Sequence, residues 1–129
     1  MATITELDSD ECTGLLKRNQ LGRIAFTIDD HPTILPVNYI FHEGMIVIRT
    51  DPGEKLDEIP MHRVAFEIDG VGDGEAWSVL VRGHAREVTT ALGEAYEALR
   101  AIPVPIQAPG PKEHWIAIEI IALTGRLIS

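Results

Sequence analysis

The sequence predicts a mainly β fold: an antiparallel barrel of six strands decorated by three short helices. Three observations carry this expectation. The hydrophobic pattern repeats every two residues along most of the chain, which excludes a helical bundle. Most strand-like runs are joined by tight turns, without the regular strand-helix alternation that a doubly wound sheet needs. The runs are rich in Ile and Val, and closing them into a barrel protects their edges. At 129 residues the chain has room for one core, so residues 1–129 are read as a single domain.

The elements follow in order. Asp8 caps a first helix over about 9–18, with Glu11 three residues on completing a capping box and Cys12, Leu15 and Leu16 forming an apolar stripe, and Leu21-Gly22 ends the segment. From Gly22, the residues Ile24, Phe26 and Ile28 alternate with Arg23, Ala25 and Thr27 until a turn at Asp29-Asp30-His31-Pro32. The next run, 33–41, sets Leu35, Val37, Tyr39 and Phe41 on one face, and His42-Glu43-Gly44 turns the chain into a strand over 45–50. Residues 22–50 thus read as a three-stranded meander. Asp51-Pro52-Gly53-Glu54 opens a short helix over about 52–59, with Asp as N-cap and Pro at the first helical position, where it loses no bond. Val64, Phe66 and Ile68 alternate in a fourth strand, and the glycine-rich 70–74 stretch reads as an irregular loop. The longest strand spans 77–88, Thr90 caps a third helix over about 90–100, and a proline-rich connection over 103–111 leads to a last strand from about His114 to Ile121.

Composition removes whole classes of function. Lys plus Arg is 11 against 20 for Asp plus Glu, a net charge of −9 that repels polyanions, so no nucleic-acid partner is expected. Against that background any local gathering of Arg and Lys is informative. Cys12 is the single cysteine, which rules out an intramolecular disulfide and a Cys-rich zinc site and fits a reducing cytosol. The five histidines lie at turns or in different strands without paired ligand spacing, so no metal site is expected. The N-terminus is acidic and no apolar run approaches the roughly 20 residues that span a bilayer, so the expectation is a soluble cytoplasmic protein without a membrane partner. Gly-x-Ser-x-Gly, P-loop, His-Glu-x-x-His and dinucleotide fingerprints are all absent, which removes most hydrolase and nucleotidase readings.

Three constellations remain. Arg49-Thr50-Asp51-Pro52-Gly53-Glu54-Lys55 feeds a strand end into a capped helix, with two cations and a hydroxyl around free backbone N–H groups, as a phosphate requires. The same residues also describe an ordinary capped helix with a solvated lysine, and Asp51 brings its own negative charge to the N-cap. Pro36-Val37-Asn38 interrupts a strand with a residue that cannot donate to a sheet; it marks either an opening where Asn38 meets a heterocycle's mixed donor and acceptor edge, or a plain strand end. Trp77-Ser78 and His114-Trp115 open two strands with the chain's only tryptophans, suited to lining a flat pocket or to filling the core.

Taken together, Leu21-Gly22-Arg23-Ile24-Ala25, Pro36-Val37-Asn38-Tyr39, Ile46-Val47-Ile48-Arg49-Thr50 with Gly53 and Lys55, Val64 to Asp69, Trp77-Ser78-Val79 with Val81-Arg82-Gly83, and Thr124-Gly125-Arg126 resemble the pyridoxamine 5′-phosphate oxidase-like flavin-binding proteins, in particular the nitroimidazole-resistance-type branch. The match covers about residues 8–128. The resemblance implies a six-stranded split barrel, a homodimer, and FMN bound at the subunit interface, with a deazaflavin as the alternative cofactor and haem behind it. It assigns Arg49, Thr50 and Lys55 to the cofactor phosphate, Pro36, Val37 and Asn38 to the isoalloxazine, and Trp77 and Ser78 to closing the pocket, with Trp115 and Arg126 as candidates to arrive from the partner subunit. The implied function is an FMN-dependent oxidoreductase acting on a small molecule, with a non-catalytic flavin, deazaflavin or haem storage protein as the alternative. The flavin ring itself carries the electron transfer, so no catalytic side chain is singled out.

Overall fold

The computed structural model describes residues 2–50, 63–88 and 114–129. Among these lie one helix, α1 (Ser9–Arg18), and seven strands: β1 (Ile4–Leu7), β2 (Leu21–Ile28), β3 (His31–His42), β4 (Met45–Thr50), β5 (Arg63–Gly72), β6 (Glu75–Val88) and β7 (His114–Ile128). The helices expected over about 52–59 and 90–100, and Lys55 with them, fall outside the described residues.

All pairings are antiparallel. The strands follow the order β1-β7-β4-β3-β2-β5-β6, and β6 pairs back onto β7. Six strands therefore close a ring, and β1 attaches to the second half of β7 as an appendage. Alternation then decides what faces inward: Ile24, Phe26, Tyr39, Ile46, Ile48, Phe66, Ile68, Val79, Val81 and Ile118 form one buried core. Tyr39 and Phe66 meet edge to face there, with centroids 4.9 Å apart. Helix α1 packs against β7, β3 and β6 and contributes Cys12 and Leu16 to the core. Its start carries the capping box: the Glu11 N–H donates to Asp8 Oδ1 at 2.8 Å and the Asp8 N–H donates to Glu11 Oε1 at 3.2 Å. A second cluster, Val47, Trp115 and Ala117, is buried on the outer side of β4 and β7.

The six-stranded antiparallel ring is the one the alternation predicts, and its differences from expectation have local causes. Strand β1 was not anticipated; four mostly exposed residues give too short a period to recognise. Strand β7 does not stop near Ile121 but runs to Ile128, because Arg82 pairs with Ala122 while Gly83 pairs with Ile120, leaving Ile121 as a bulge. Gly125 lies within the strand: a Cβ there would collide with Cys12 Sγ and Leu7, so its missing side chain lets α1 and β1 lie close to β7. The glycine-rich stretch expected to be irregular is mostly strand, with the turn confined to Asp73-Gly74. Like Asp29-Asp30 and Glu43-Gly44, that turn is a two-residue hairpin with positive φ at both positions, the form that matches strand twist.

Candidate functional site

The two segments singled out on β3 and β4 are brought together by one hairpin. Tyr39 pairs with Ile48 and His42 with Met45, so one more step along the strands sets Asn38 beside Arg49. On its other side Arg49 pairs with Trp115, and Thr50 with His114. Pro36, Val37 and Asn38 pair across β2 with Arg23, Gly22 and Leu21.

The ladder between β3 and β4 ends at Tyr39, whereas β3 runs back to His31 with β2 as its partner among the described residues. The Tyr39 N–H donates to the Gln20 carbonyl at 2.9 Å, on the β2 side. Backbone groups alternate along a strand, so those of Val37 also face β2, while those of Pro36 and Asn38 face the parted seam. The proline is tolerated because its nitrogen, which has no hydrogen to donate, is on that side. The Val37 side chain is 6% exposed in the core and its backbone groups face β2, so the residue anchors the strand behind the seam and offers a ligand no group of its own. Pro36 is exposed and Asn38 half-buried on the outer face.

Beside Asn38 the outer surface is grooved. A cavity of about 480 Å³ between the end of α1 and β2 is lined by Arg18, Gln20, Leu21, Arg23, Asn38 and Asp69. A second hollow of about 320 Å³ continues from it over Ala25, Ile34, Ala65 and Leu80. Arg23 stands at their junction and bonds Glu67 Oε1 at 3.0 Å and Asp69 Oδ2 at 3.1 Å. Partial burial, then the hydrogen bond and charge of Asp69, raise the Glu67 carboxyl above its ordinary value, and Arg23 pulls the other way. The Arg23 guanidinium is held more firmly protonated, first by its bond to Asp69. Sequence reasoning assigned no role to Arg18, Arg23, Glu67 or Asp69. The alternation does put Glu67 and Asp69 on one face of β5, but nothing local shows that Arg23 lies across from them.

The remaining candidates lie elsewhere. Trp77 is half-buried and packs against the core, its indole over Gly70, where a Cβ would come within 2.6 Å of the ring. Ser78 pairs with Asp69 and with Arg126, and exposed Arg126 pairs on its other side with Glu6. Trp115 is 1% exposed, enclosed in the outer cluster with Val47 and Ala117. In the ring order, β3 and β6 stand three strands apart in either direction, on opposite walls of the barrel. Trp115 and Arg126 share β7 but are eleven residues apart, roughly 35 Å of strand. The candidates form two groups, one around Asn38 and the Arg49–Thr50 end of β4, the other around Ser78 and Arg126, and Asp69 stands between them: it pairs with Ser78 and lines the same cavity as Asn38. Lys55 lies outside the described residues.

Comparison with known proteins agrees with this architecture. The family model described as pyridoxamine 5′-phosphate oxidase matches residues 8–127. A solved structure from Corynebacterium glutamicum, provisionally described as a pyridoxamine 5′-phosphate oxidase, is 36% identical, covers 96% of this chain and 92% of its own, and superposes with a TM-score of 0.81. An FAD-binding protein from Mycobacterium smegmatis is 37% identical over 95% of this chain and 97% of its own, with a TM-score of 0.80. A Bacteroides thetaiotaomicron protein provisionally described as a 5-nitroimidazole antibiotic resistance protein is 11% identical over 99% of this chain and 89% of its own; its TM-score of 0.77 shows the shared fold alone.

Proposed function

Because the chain belongs to the pyridoxamine 5′-phosphate oxidase-like family, we propose that it binds a flavin, FMN, at an interface between two copies of itself and acts as an oxidoreductase on a small molecule. The observation that carries the reading is the parted seam beside β3. There the backbone edge of Pro36 and Asn38 and the Asn38 amide adjoin the strand end that bears Arg49 and Thr50. A flavin needs this donor set: mixed donors and acceptors along the ring, and cations with a hydroxyl at the phosphate. The FAD-binding Mycobacterium smegmatis relative supports a flavin, and a single cradle of Arg49, Thr50 and Lys55 suits a mononucleotide.

In this reading Pro36 and Asn38 orient the ring, with Val37 fixing the strand behind them, and Arg49, Thr50 and Lys55 hold the phosphate. The bound flavin supplies the capacity to accept and pass on a hydride or single electrons. In the same reading Trp77 and Ser78 close the pocket, and Arg126 is presented by the second subunit. Trp115, enclosed beneath the β4 end, backs the cradle.

The test is flavin titration of the purified protein, followed by ring fluorescence, after its visible spectrum has been recorded. Arg49→Ala and Lys55→Ala should each weaken FMN binding about 10- to 100-fold, the worth of a charge-assisted contact, while leaving the melting temperature of the flavin-free protein within about 1 °C. A protein that takes up no flavin at high micromolar concentration, or variants that lose stability rather than affinity, would overturn the proposal.

A further inference from the structure

The chain carries a net charge of −9, yet three arginines and a histidine gather on one outer patch. Arg82, His84 and Arg86 are exposed at alternate positions of β6, and exposed Arg63, at the start of β5, is the cross-strand partner of His84. Strand geometry sets neighbouring members about 5 to 8 Å apart. Among the described residues none of the four forms an ion pair; the bridges present belong to Arg23 and His42. Arg86 makes one contact, to Met45 Sδ at 3.6 Å, a neutral acceptor that leaves its charge uncompensated. Glu119 stands across from His84 on β7 but does not bridge to it. Ala65 and Ala122 flank Arg82, and Ala117 flanks Arg86, side chains too short to cover a guanidinium.

Like charges this close on a strand pair cost stability, and among the described residues no ion pair offsets them here. The acidic remainder of the molecule disfavours a long polyanion. A small multivalent anion responds instead to charges within about one screening length, roughly 8 to 10 Å, the extent of the patch. Guanidinium groups make forked contacts with phosphate oxygens. We propose that Arg63, Arg82 and Arg86, with His84, form a binding site for a compact multivalent phosphate, the diphosphate group of a nucleotide.

This is a second site, not an extension of the flavin cradle. Strand β7 separates β4 from β6, and Arg49 pairs with the same Trp115 that pairs with Val88. Arg86 lies two residues back from Val88, which puts its backbone about 12 Å from that of Arg49, with Arg63 and Arg82 roughly 20 Å away. One phosphate cannot reach both Arg49 and the Arg63 and Arg82 side of the patch.

The experiment is calorimetric titration of the full chain with inorganic pyrophosphate and with ADP, at about 20 and 150 mM salt, with and without saturating FMN. Pyrophosphate and ADP should bind, more weakly at the higher salt. Arg82→Ala and Arg63→Ala should each reduce affinity about ten-fold or more. Lys17→Ala, which removes one exposed charge from α1, should change it less than two-fold, and FMN should not displace either ligand. All these positions are exposed, and a melting curve of each variant confirms that it is folded. No binding at low salt, equal effects of Arg82→Ala and Lys17→Ala, or displacement by FMN would overturn the site. A single-stranded oligonucleotide that binds more tightly than pyrophosphate would overturn the ligand class.

Discussion

Replacing Tyr39 with phenylalanine tests the join between helix and barrel that lies directly behind the proposed seam. Tyr39 is fully buried and its hydroxyl donates to the Leu16 carbonyl at 2.8 Å. That carbonyl belongs to the last turn of α1, where no intrahelical donor follows; the neighbouring Leu15 carbonyl is likewise served by a side chain, Asn19 Nδ2, at 2.8 Å. Phenylalanine keeps the ring and its edge-to-face contact with Phe66 but leaves a buried acceptor without that donor, at a cost of about 1 to 3 kcal/mol. For a domain of this size, about 2 kcal/mol corresponds to a fall of roughly 6 to 10 °C in Tm. Burial also raises the Tyr39 pKa well above the ordinary phenol value. The unfolded chain loses this proton near pH 10 while the folded one keeps it, so the contribution is complete below pH 10 and declines above it by about 1.4 kcal/mol per pH unit. Urea unfolding of both proteins at pH 8, 9, 10 and 11 should therefore show a gap that is constant to about pH 9.5 and then closes. The raised Cys12 thiol adds a slope of the same sign, but it is common to both proteins and cancels. A gap below about 0.5 kcal/mol at pH 8, or one that stays constant to pH 11, would refute the reasoning.

Two further substitutions probe the outer wall and the ring. Glu67 has its carboxyl pKa raised by burial and by Asp69, so its contribution to stability is present below the unfolded value near 4.3 and lost as pH rises through the folded one. Glu67→Gln should accordingly melt no lower than wild type at pH 7, and any advantage should vanish by pH 4; a variant that is less stable only at pH 7 would mean that the Arg23 pairing outweighs burial. Gly83→Ala should lower stability by about 2 kcal/mol or more in urea unfolding, because its Cβ would collide with the Glu119 carbonyl of the adjoining strand. Gly72→Ala, where nothing lies within 4 Å, should stay within about 0.5 kcal/mol.

The parts of the fold legible in the sequence were those encoded over a few residues. Period-two alternation identified the six strands of the ring, and Asp8 with Glu11 identified the helix start. What it lost, it lost where the period breaks. Ahead of the bulge, Ile116 and Ile118 face the core; after Ile121 the inward set shifts phase to Leu123 and Gly125. A reader following alternation ends the strand at the slip, although the backbone ladder continues. Gly70 misled in the same way, since it looked like punctuation and instead admits a neighbour, Trp77, to close range.

The site shows the same boundary between local and distant information. Arg49 with Thr50, and Pro36 with Asn38, could be named because each pair is contiguous. The Arg23 cluster could not, because its carboxylates are 44 and 46 residues away. Nor could the row that joins Asn38 to Asp69 and Ser78, which depends on how β2 and β5 pair with their neighbours. Pro36 is the informative exception. A residue without an N–H can sit in this strand only where no ladder needs it, so one side chain announced that β3 must part from a neighbour. The ladder to β4 ends at Tyr39, with Pro36 just beyond it. Replacing the proline would restore a donor on the side where, among the described residues, the ladder to β4 has ended. Its backbone would still face outward, toward whatever the seam holds.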